Sequence, residues 1–162
     1  MLEALIQRQA DEFQTAFKSF LSHIPWEDQL KYEAYCGTVF LLAMVMAGQE
    51  CDCQQSVGSG KLDVRLRTRD GNYYVIELKL VKAAVNVKGK DKDLTAEQIQ
   101  KNMEKALAAA MVQTEKNKYT LKFQGHGNKI YKTALAVSGR VDVRVIFEEA
   151  ANWILAKDPG QP

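Results

Sequence analysis

Cysteine and histidine are scarce in this chain of 162 residues, which contains three cysteines and two histidines. An odd number of cysteines without regular spacing does not fit the disulfide framework of a small secreted domain. Cys51 and Cys53 stand two residues apart, but no second pair of ligands has the spacing of a zinc site. The sequence therefore favours small packed thiols over a zinc centre.

Long apolar runs are also missing. No stretch approaches the roughly 18 uninterrupted apolar residues of a membrane-spanning helix. The first residues, MLEALIQRQADEFQ, carry acidic side chains where a signal peptide would carry basic ones. We therefore expect a soluble, cytoplasmic protein without membrane contact. Because 46% of the residues are apolar, we expect a single domain over residues 1–162, ending in a short helix and flexible tail from 150 to 162.

Two helices are predicted before the first strand. Apolar residues recur at helical spacing over residues 2–21 and predict a helix that packs on the core. A second helix can be capped by Asp28 and stopped by Gly48, and it is apolar on nearly every side over residues 39–46, so we expect it to be buried. Glu33 falls in its first turns, where the helix dipole favours a carboxylate. A simple N-terminal charge is thus the alternative to a functional role for Glu33.

The remaining pattern predicts an α/β fold with a central mixed β-sheet flanked by α-helices, in the order α-α-β-β-β-α-β-β. A helix between the third and fourth strands would form a right-handed crossover. The predicted elements are strands at about 50–56, 61–68 and 72–80, a polar loop VNVKGKDKD, a helix from Leu94 to about Phe123 capped by Thr95 or Asp93, and the strands KIYKTALAVS and RVDVRVIF.

The second and third predicted strands form a hairpin that places two carboxylates together. In GKLDVRLRTRDGNYYVIELKL the apolar residues, Leu62 among them, alternate with polar ones, so Asp63, Glu77 and Lys79 are predicted on the opposite faces of their strands. A three-residue turn with Gly71 in the left-handed conformation would set Asp63 opposite Glu77. Like charges directly opposed across two strands are unfavourable, so something must offset the repulsion.

A divalent cation would offset it, because hard ions such as Mg²⁺ bind carboxylate oxygens at about 2.1 Å and keep water ligands for chemistry. Lys79, two residues from Glu77 on the same face, would then contact a phosphate oxygen or orient an attacking water. The alternative is a solvated sheet face on which Asp63, Arg65, Arg67, Glu77 and Lys79 form ordinary cross-strand ion pairs.

The arrangement of Asp63 followed by Glu77-Leu78-Lys79 resembles the PD-(D/E)xK nuclease superfamily. More closely, the chain resembles the nuclease-like domain found C-terminal to predicted AAA-type ATPases in bacteria. The resemblance covers about residues 24 to 137. It is carried by the stretches IPWEDQLKYEAYCGTVFLLAMVMAG, VGSGKLDVRLRTRDGNYYVIELKL and QTEKNKYTLKFQGHGNKIYKTALAV.

This resemblance implies a restriction-endonuclease-like core and a nuclease that depends on Mg²⁺ or Mn²⁺; DNA is favoured over RNA as the substrate, and RNA stays open. Glu33, Asp63 and Glu77 would be metal ligands, Lys79 the catalytic lysine and Gln113 an active-site helix residue. Leu62 departs from the family's usual proline.

The motif glutamine has two candidates, because the segment after Lys79 is longer than the family pattern. The stretch Ala96-Glu97-Gln98-Ile99 makes Gln98 a competitor of Gln113. The spacing to Tyr119 and to Gly127-Asn128-Lys129 favours Gln113, and Gln98 stays open.

Positive charge is concentrated in residues 82–132, which carry eleven basic and five acidic side chains, whereas residues 1–60 carry three and eight. Such a patch can follow the phosphates of a nucleic acid, although a solvated helix with internal ion pairs is the alternative. The residues expected to bind nucleic acid are Lys116, Lys118, Tyr119 and Lys122.

Two other classes of function stay open. One is a degenerate domain that binds nucleic acid or a protein without cutting. The other is a structural partner of an ATPase module, since the chain has no G-x4-G-K-(S/T) loop of its own. A homodimer also stays open.

Overall fold

The structure is a computed structural model that describes residues 1–24, 33–57, 60–87, 90–124, 129–138 and 142–150. The helices are α1 (Leu2–Ile6), α2 (Ala10–Ser22), α3 (Glu33–Met46) and α4 (Ala96–Lys116), with a 3₁₀ helix at Tyr119–Phe123. The strands are β1 (Glu50–Val57), β2 (Gly60–Arg67), β3 (Tyr73–Val81), β4 (Ala84–Val87), β5 (Lys90–Asp93), β6 (Ile130–Ser138) and β7 (Val143–Glu149).

Five strands form one mixed sheet in the order β1-β2-β3-β6-β7. Strands β3 and β6 are parallel and α4 lies in the connection between them, while the other neighbours are antiparallel. The predicted mixed α/β fold, with a restriction-endonuclease-like sheet between helices, is therefore confirmed. Among the described helices, none combines the length and the apolarity needed to cross a membrane.

Helices α1, α2 and α3 cover one face of the sheet. The core on this face is rich in phenylalanine, and Phe13, Phe17 and Phe40 pack ring against ring. The apolar stripe over residues 2–21 belongs to two helices rather than one, because Arg8 takes a left-handed conformation with φ of 58° between them. The prediction that residues 2–21 pack on the core is therefore confirmed, and the prediction that they form one continuous helix was wrong.

Helix α3 is less buried than its composition predicts. Phe40 and Met44 lie in the core, whereas Leu42 and Met46 are exposed on the opposite side. A helix that packs on a sheet through one side leaves its other side to a further partner or to solvent. The predicted stop is confirmed, since the helix ends at Met46 and Gly48 is left-handed with φ of 74°.

Helix α4 covers the other face of the sheet and begins at a capping box. Thr95 accepts a hydrogen bond from the backbone of Gln98, and the Gln98 side chain accepts one from the backbone of Thr95. The helix ends at Lys116 rather than at Phe123, because Lys118 is left-handed with φ of 53°. The last predicted turns form the separate 3₁₀ helix.

The predicted polar loop after β3 contains a short hairpin instead. Strands β4 and β5 pair with each other and form a two-stranded sheet of their own. The alternating charges of Lys90–Asp93 give this segment no apolar face, so the pattern did not indicate a strand. The short helix and tail predicted after residue 150 fall outside the described residues.

Candidate active site

The turn between β2 and β3 sets the register of the site strands. Gly71 has a φ of 82°, and the N–H of Thr68 donates to the carbonyl of Asn72 at 3.0 Å. The pairs Arg67↔Tyr73 and Val64↔Ile76 follow from this turn. The register predicted from the three-residue loop is therefore confirmed for the hairpin.

At Asp63 the regular ladder gives way to a side-chain contact. The N–H of Leu78 donates to Oδ2 of Asp63 at 2.9 Å. The residues on either side of Asp63 pack in different clusters. Val64 packs in the core that α3 covers, whereas Leu62 packs in a second cluster that includes Tyr119. The expectation that Leu62 and Val64 share a face was wrong, because Leu62 packs with Val75 and Tyr119 in a cluster separate from that of Val64.

Glu77 is the buried carboxylate of the site, with 1% of its surface exposed. Lys79 donates to Oε1 of Glu77 at 2.9 Å, and Oε2 is buried without a hydrogen-bond donor among the described residues. Burial raises the pKa of Glu77 to about 7, the hydrogen bond from Lys79 acts against this rise, and the neighbouring charge of Asp63 adds to it. One oxygen of this ionisable carboxyl is thus paired with Lys79, and the other lacks a donor among the described residues.

Asp63 lies close enough to Glu77 that its charge, and hydrogen bonding between the two carboxyls, add to the rise in the pKa of Glu77. When both are ionised, no proton is available to join them, and Oε2 of Glu77 is left unsatisfied. The solvated sheet face considered as the alternative describes Arg65 and Arg67, which form ion pairs with acidic residues of β1, but not Glu77, which is buried.

The donor set of the site suits a hard divalent cation. Carboxylate oxygens are the ligands preferred by Mg²⁺ and Mn²⁺. The unsatisfied oxygen of Glu77 is a ligand that such an ion would bind. In the described part of the chain, no three histidine, cysteine, aspartate or glutamate side chains cluster as a metal site. The third expected ligand, Glu33, is the first residue of α3, but its side chain lies outside what the structure describes.

The structure assigns different surroundings to the two candidate glutamines. Gln98 is exposed and engaged in the capping box of α4. Gln113 is half-buried one turn before Asn117, and the side chain of Asn117 approaches Gly60 at the start of β2. Residues four apart share a helix face, so Gln113 lies on the side of α4 turned toward β2.

The residues expected to bind nucleic acid separate into two groups. Lys116, Lys118 and Lys122 are exposed around the end of α4. Tyr119 has 0% of its surface exposed, and its hydroxyl donates to the carbonyl of Lys61. Tyr119 is therefore a core residue and offers no ring surface to a nucleic acid.

A buried lysine on β6 was missed by the sequence reasoning. Lys132 donates to Glu148 on β7 at 2.5 Å and also to Glu115 on α4. Burial alone would lower the pKa of Lys132, but the two carboxylates outweigh it and raise that pKa. A lysine within an alternating strand gives no signal of such pairing. The adjoining cavity of about 590 Å³ is lined by Thr114, Glu115, Lys118, Lys132, Glu148 and Glu149, among others.

The thiols behave as packed side chains. Burial raises the pKa of Cys51 to about 12, and burial also raises the pKa of Cys53. Cys53 donates to the carbonyl of Gly37 at 3.6 Å. Neither Cys51 nor Cys53 forms a disulfide, and Cys36 is a reduced thiol buried in the core.

The comparisons with known proteins point to one family. A sequence model of the PD-(D/E)XK nuclease superfamily matches residues 31–149, which include β2, β3 and α4. Searches of curated proteins and of solved structures gave no match.

Proposed function

Because the chain belongs to the PD-(D/E)XK nuclease superfamily, we propose that it is a Mg²⁺- or Mn²⁺-dependent nuclease that hydrolyses the phosphodiester bonds of DNA rather than RNA. Asp63, Glu77 and Glu33 are the proposed metal ligands, and Lys79 and Gln113 the other proposed residues of the site.

The observation that carries this proposal is the state of Glu77. Oε2 of Glu77 is buried without a hydrogen-bond donor among the described residues. The carboxylate of Asp63, the second of the site, lies beside it. An unsatisfied buried carboxylate oxygen is costly unless something binds it. An ion pair with Lys79 alone does not explain why Oε2 has no partner. A cation held between the two carboxylates would bind Oε2, while Lys79 binds Oε1.

Each residue of the proposed site has a distinct role. The Leu78 N–H fixes the orientation of the Asp63 carboxylate. The Lys79 side chain is 21% exposed, so its ammonium can meet a phosphate that enters from solvent while it steadies Glu77. A bound Mg²⁺ or Mn²⁺ ion would supply a water of lowered pKa and positive charge opposite the phosphate. Lys79 would add a positioned charge where negative charge develops.

The exposed lysines at the end of α4 would follow the sugar-phosphate backbone. Lys116 is the last residue of α4, the helix that carries Gln113, and Lys118 and Lys122 follow it at and within the 3₁₀ helix. Contacts of this kind fix the nucleic acid without reading its sequence, and they weaken as salt increases. An ATPase module stays a proposed partner on the resemblance alone, and a homodimer stays a separate proposal.

The proposal is tested by incubating the purified chain with plasmid DNA, single-stranded DNA and RNA. Each substrate is combined with Mg²⁺, Mn²⁺ or a chelator. We expect DNA cleavage that requires the ion and is lost in Glu77→Ala. Cleavage that survives equally in Glu77→Ala would indicate a contaminating enzyme. DNA binding without any cleavage would favour the degenerate, non-cutting domain.

A further inference from the structure

A buried tyrosine ties strand β2 to the end of α4. Oη of Tyr119 donates to the carbonyl of Lys61 at 2.9 Å, and Nδ2 of Asn117 donates to the same Oη at 2.7 Å. Tyr119 has 0% of its surface exposed. Its hydroxyl is therefore used both as donor and as acceptor away from water, which makes its loss costly.

Gly60 permits the close approach that this contact needs. A Cβ atom at Gly60 would lie 2.6 Å from Nδ2 of Asn117 and 2.7 Å from Oη of Tyr119. A side chain is therefore excluded at Gly60 unless Asn117 or Tyr119 moves. Leu62 packs in the same cluster as Tyr119. Residues 60–62 are thus held against the end of α4 as one segment.

This segment ends where the site begins. Asp63 follows Leu62 directly, and beyond it β2 returns to regular pairing with β3 at Val64↔Ile76. We propose that Tyr119 is a positioning residue of the nuclease site. By holding residues 60–62 on α4, it turns the Asp63 carboxylate toward the Leu78 N–H and Glu77. The effect of Tyr119 on metal binding rests on the proposed function. The effect of Tyr119 on the contact between Asp63 and the Leu78 N–H does not.

The contact is tested with Tyr119→Phe, which removes one hydroxyl and keeps the ring. Tyr74→Phe is the matched control, because Tyr74 is equally buried and donates to the carbonyl of Ile6 at 3.2 Å on the opposite face of the sheet. Amide hydrogen exchange at Leu78 is followed by NMR, with the amides of β6 as reference. We expect exchange at Leu78 about fivefold faster in Tyr119→Phe and unchanged relative to β6 in Tyr74→Phe.

An unchanged Leu78 rate in folded Tyr119→Phe, or an equal acceleration in Tyr74→Phe, would overturn the inference. If Tyr119→Phe does not fold, Asn117→Ala takes its place with the same expectation, because it removes the hydrogen bond that Oη accepts. A Leu78 rate that matches the wild type in that variant overturns the inference as well.

Calorimetry with Mn²⁺ supplies the second measurement. We expect Tyr119→Phe to bind Mn²⁺ about fivefold more weakly than wild type, because fewer molecules hold Asp63 in the binding position. Tyr74→Phe should bind as wild type does. Wild-type protein that takes up no Mn²⁺ would contradict the proposed function, and exchange at Leu78 would still decide the role of Tyr119. Equal Mn²⁺ affinity in wild type and Tyr119→Phe would contradict the positioning role.

Discussion

Lys79 donates to Oε1 of Glu77 across 2.9 Å from the same strand, two residues along. This pairing fixes one oxygen of the carboxylate and leaves Oε2 buried beside Asp63. The hydrogen bond from Lys79 lowers the pKa of Glu77 but does not bring it back to its ordinary value. Burial is the larger effect and raises that pKa to about 7. The apo site therefore carries a cost that a ligand can remove.

Replacing Glu77 by glutamine should stabilise the metal-free protein at alkaline pH. The pKa of Glu77 rises from an ordinary 4.5 to about 7 on folding. The unfolded chain therefore loses this proton at a lower pH than the folded chain, and stability falls as pH rises from about 4.5 to 7. Above pH 7 the full cost is present, about 3 kcal/mol. Urea unfolding in a chelator should show Glu77→Gln more stable than wild type by up to this amount at pH 8.

The two proteins should become similar in stability at pH 4, where Glu77 is protonated in both folded and unfolded states. Glu149→Gln is the control, since the Glu149 side chain is 47% exposed and pairs with Lys129 at the surface. That change should alter the free energy of unfolding little at either pH. Equal stability of wild type and Glu77→Gln at pH 8 would show that Glu77 ionises normally.

Removing the charge of Asp63 should abolish stabilisation by metal. Asp63→Asn keeps an oxygen that can accept from Leu78 and loses one of the two neighbouring charges. The metal-free variant should be as stable as wild type or slightly more stable. Thermal unfolding with increasing Mn²⁺ measures the effect, since an ion at about 100 times its Kd adds about 2.7 kcal/mol. A wild-type shift that persists undiminished in Asp63→Asn would place the ion elsewhere.

Cleavage and binding should respond to different lysines. Lys79→Ala should lower the cleavage rate by about 100-fold or more while DNA affinity changes little, because one positioned charge at the reacting group is lost. Assays at pH 8.5 keep Glu77 ionised after its lysine is gone. Lys122→Ala should instead weaken DNA binding and reduce its salt dependence. Similar losses of affinity in both variants would argue against a catalytic role for Lys79.

The two glutamines should differ in what they support. Gln98→Ala breaks the capping box and should cost about 1 kcal/mol of stability without affecting cleavage per folded molecule. Gln113→Ala should lower cleavage and leave the free energy of unfolding almost unchanged, because Gln113 is only half-buried. Denaturant unfolding and a cleavage assay on both variants separate the effects. The reverse pattern would assign the motif to Gln98.

The hairpin of the site was predictable because its determinants are local. The turn at Gly71 and the alternation along β3 are short-range patterns, and they determine the register without the rest of the fold. The depth of Glu77 was not predictable in the same way. Its burial depends on β6, whose Ala134 lies directly beside it, and on α4 above both strands.

Other misses have the same origin in long-range packing. Nothing in the spacing of Tyr119 indicates that it is buried against Lys61, and nothing around Lys132 indicates its two carboxylate partners. Leu62 packs in the cluster of Tyr119 rather than with Val64, so an ideal two-residue period misplaced it. The roles proposed for Glu33, Asp63, Glu77, Lys79 and Gln113 stay predictions.

The parallel pairing of β3 with β6 has a consequence for the order of folding. Asp63 and Glu77 meet through a tight turn, which closes quickly, whereas Tyr73↔Ile130 and the pairs after it must wait for a long intervening segment that includes α4. We therefore expect the two carboxylates to meet while still hydrated. The dehydration of Glu77 then falls in the late docking of β6 and α4, so acidic pH, which neutralises Glu77, should accelerate that step.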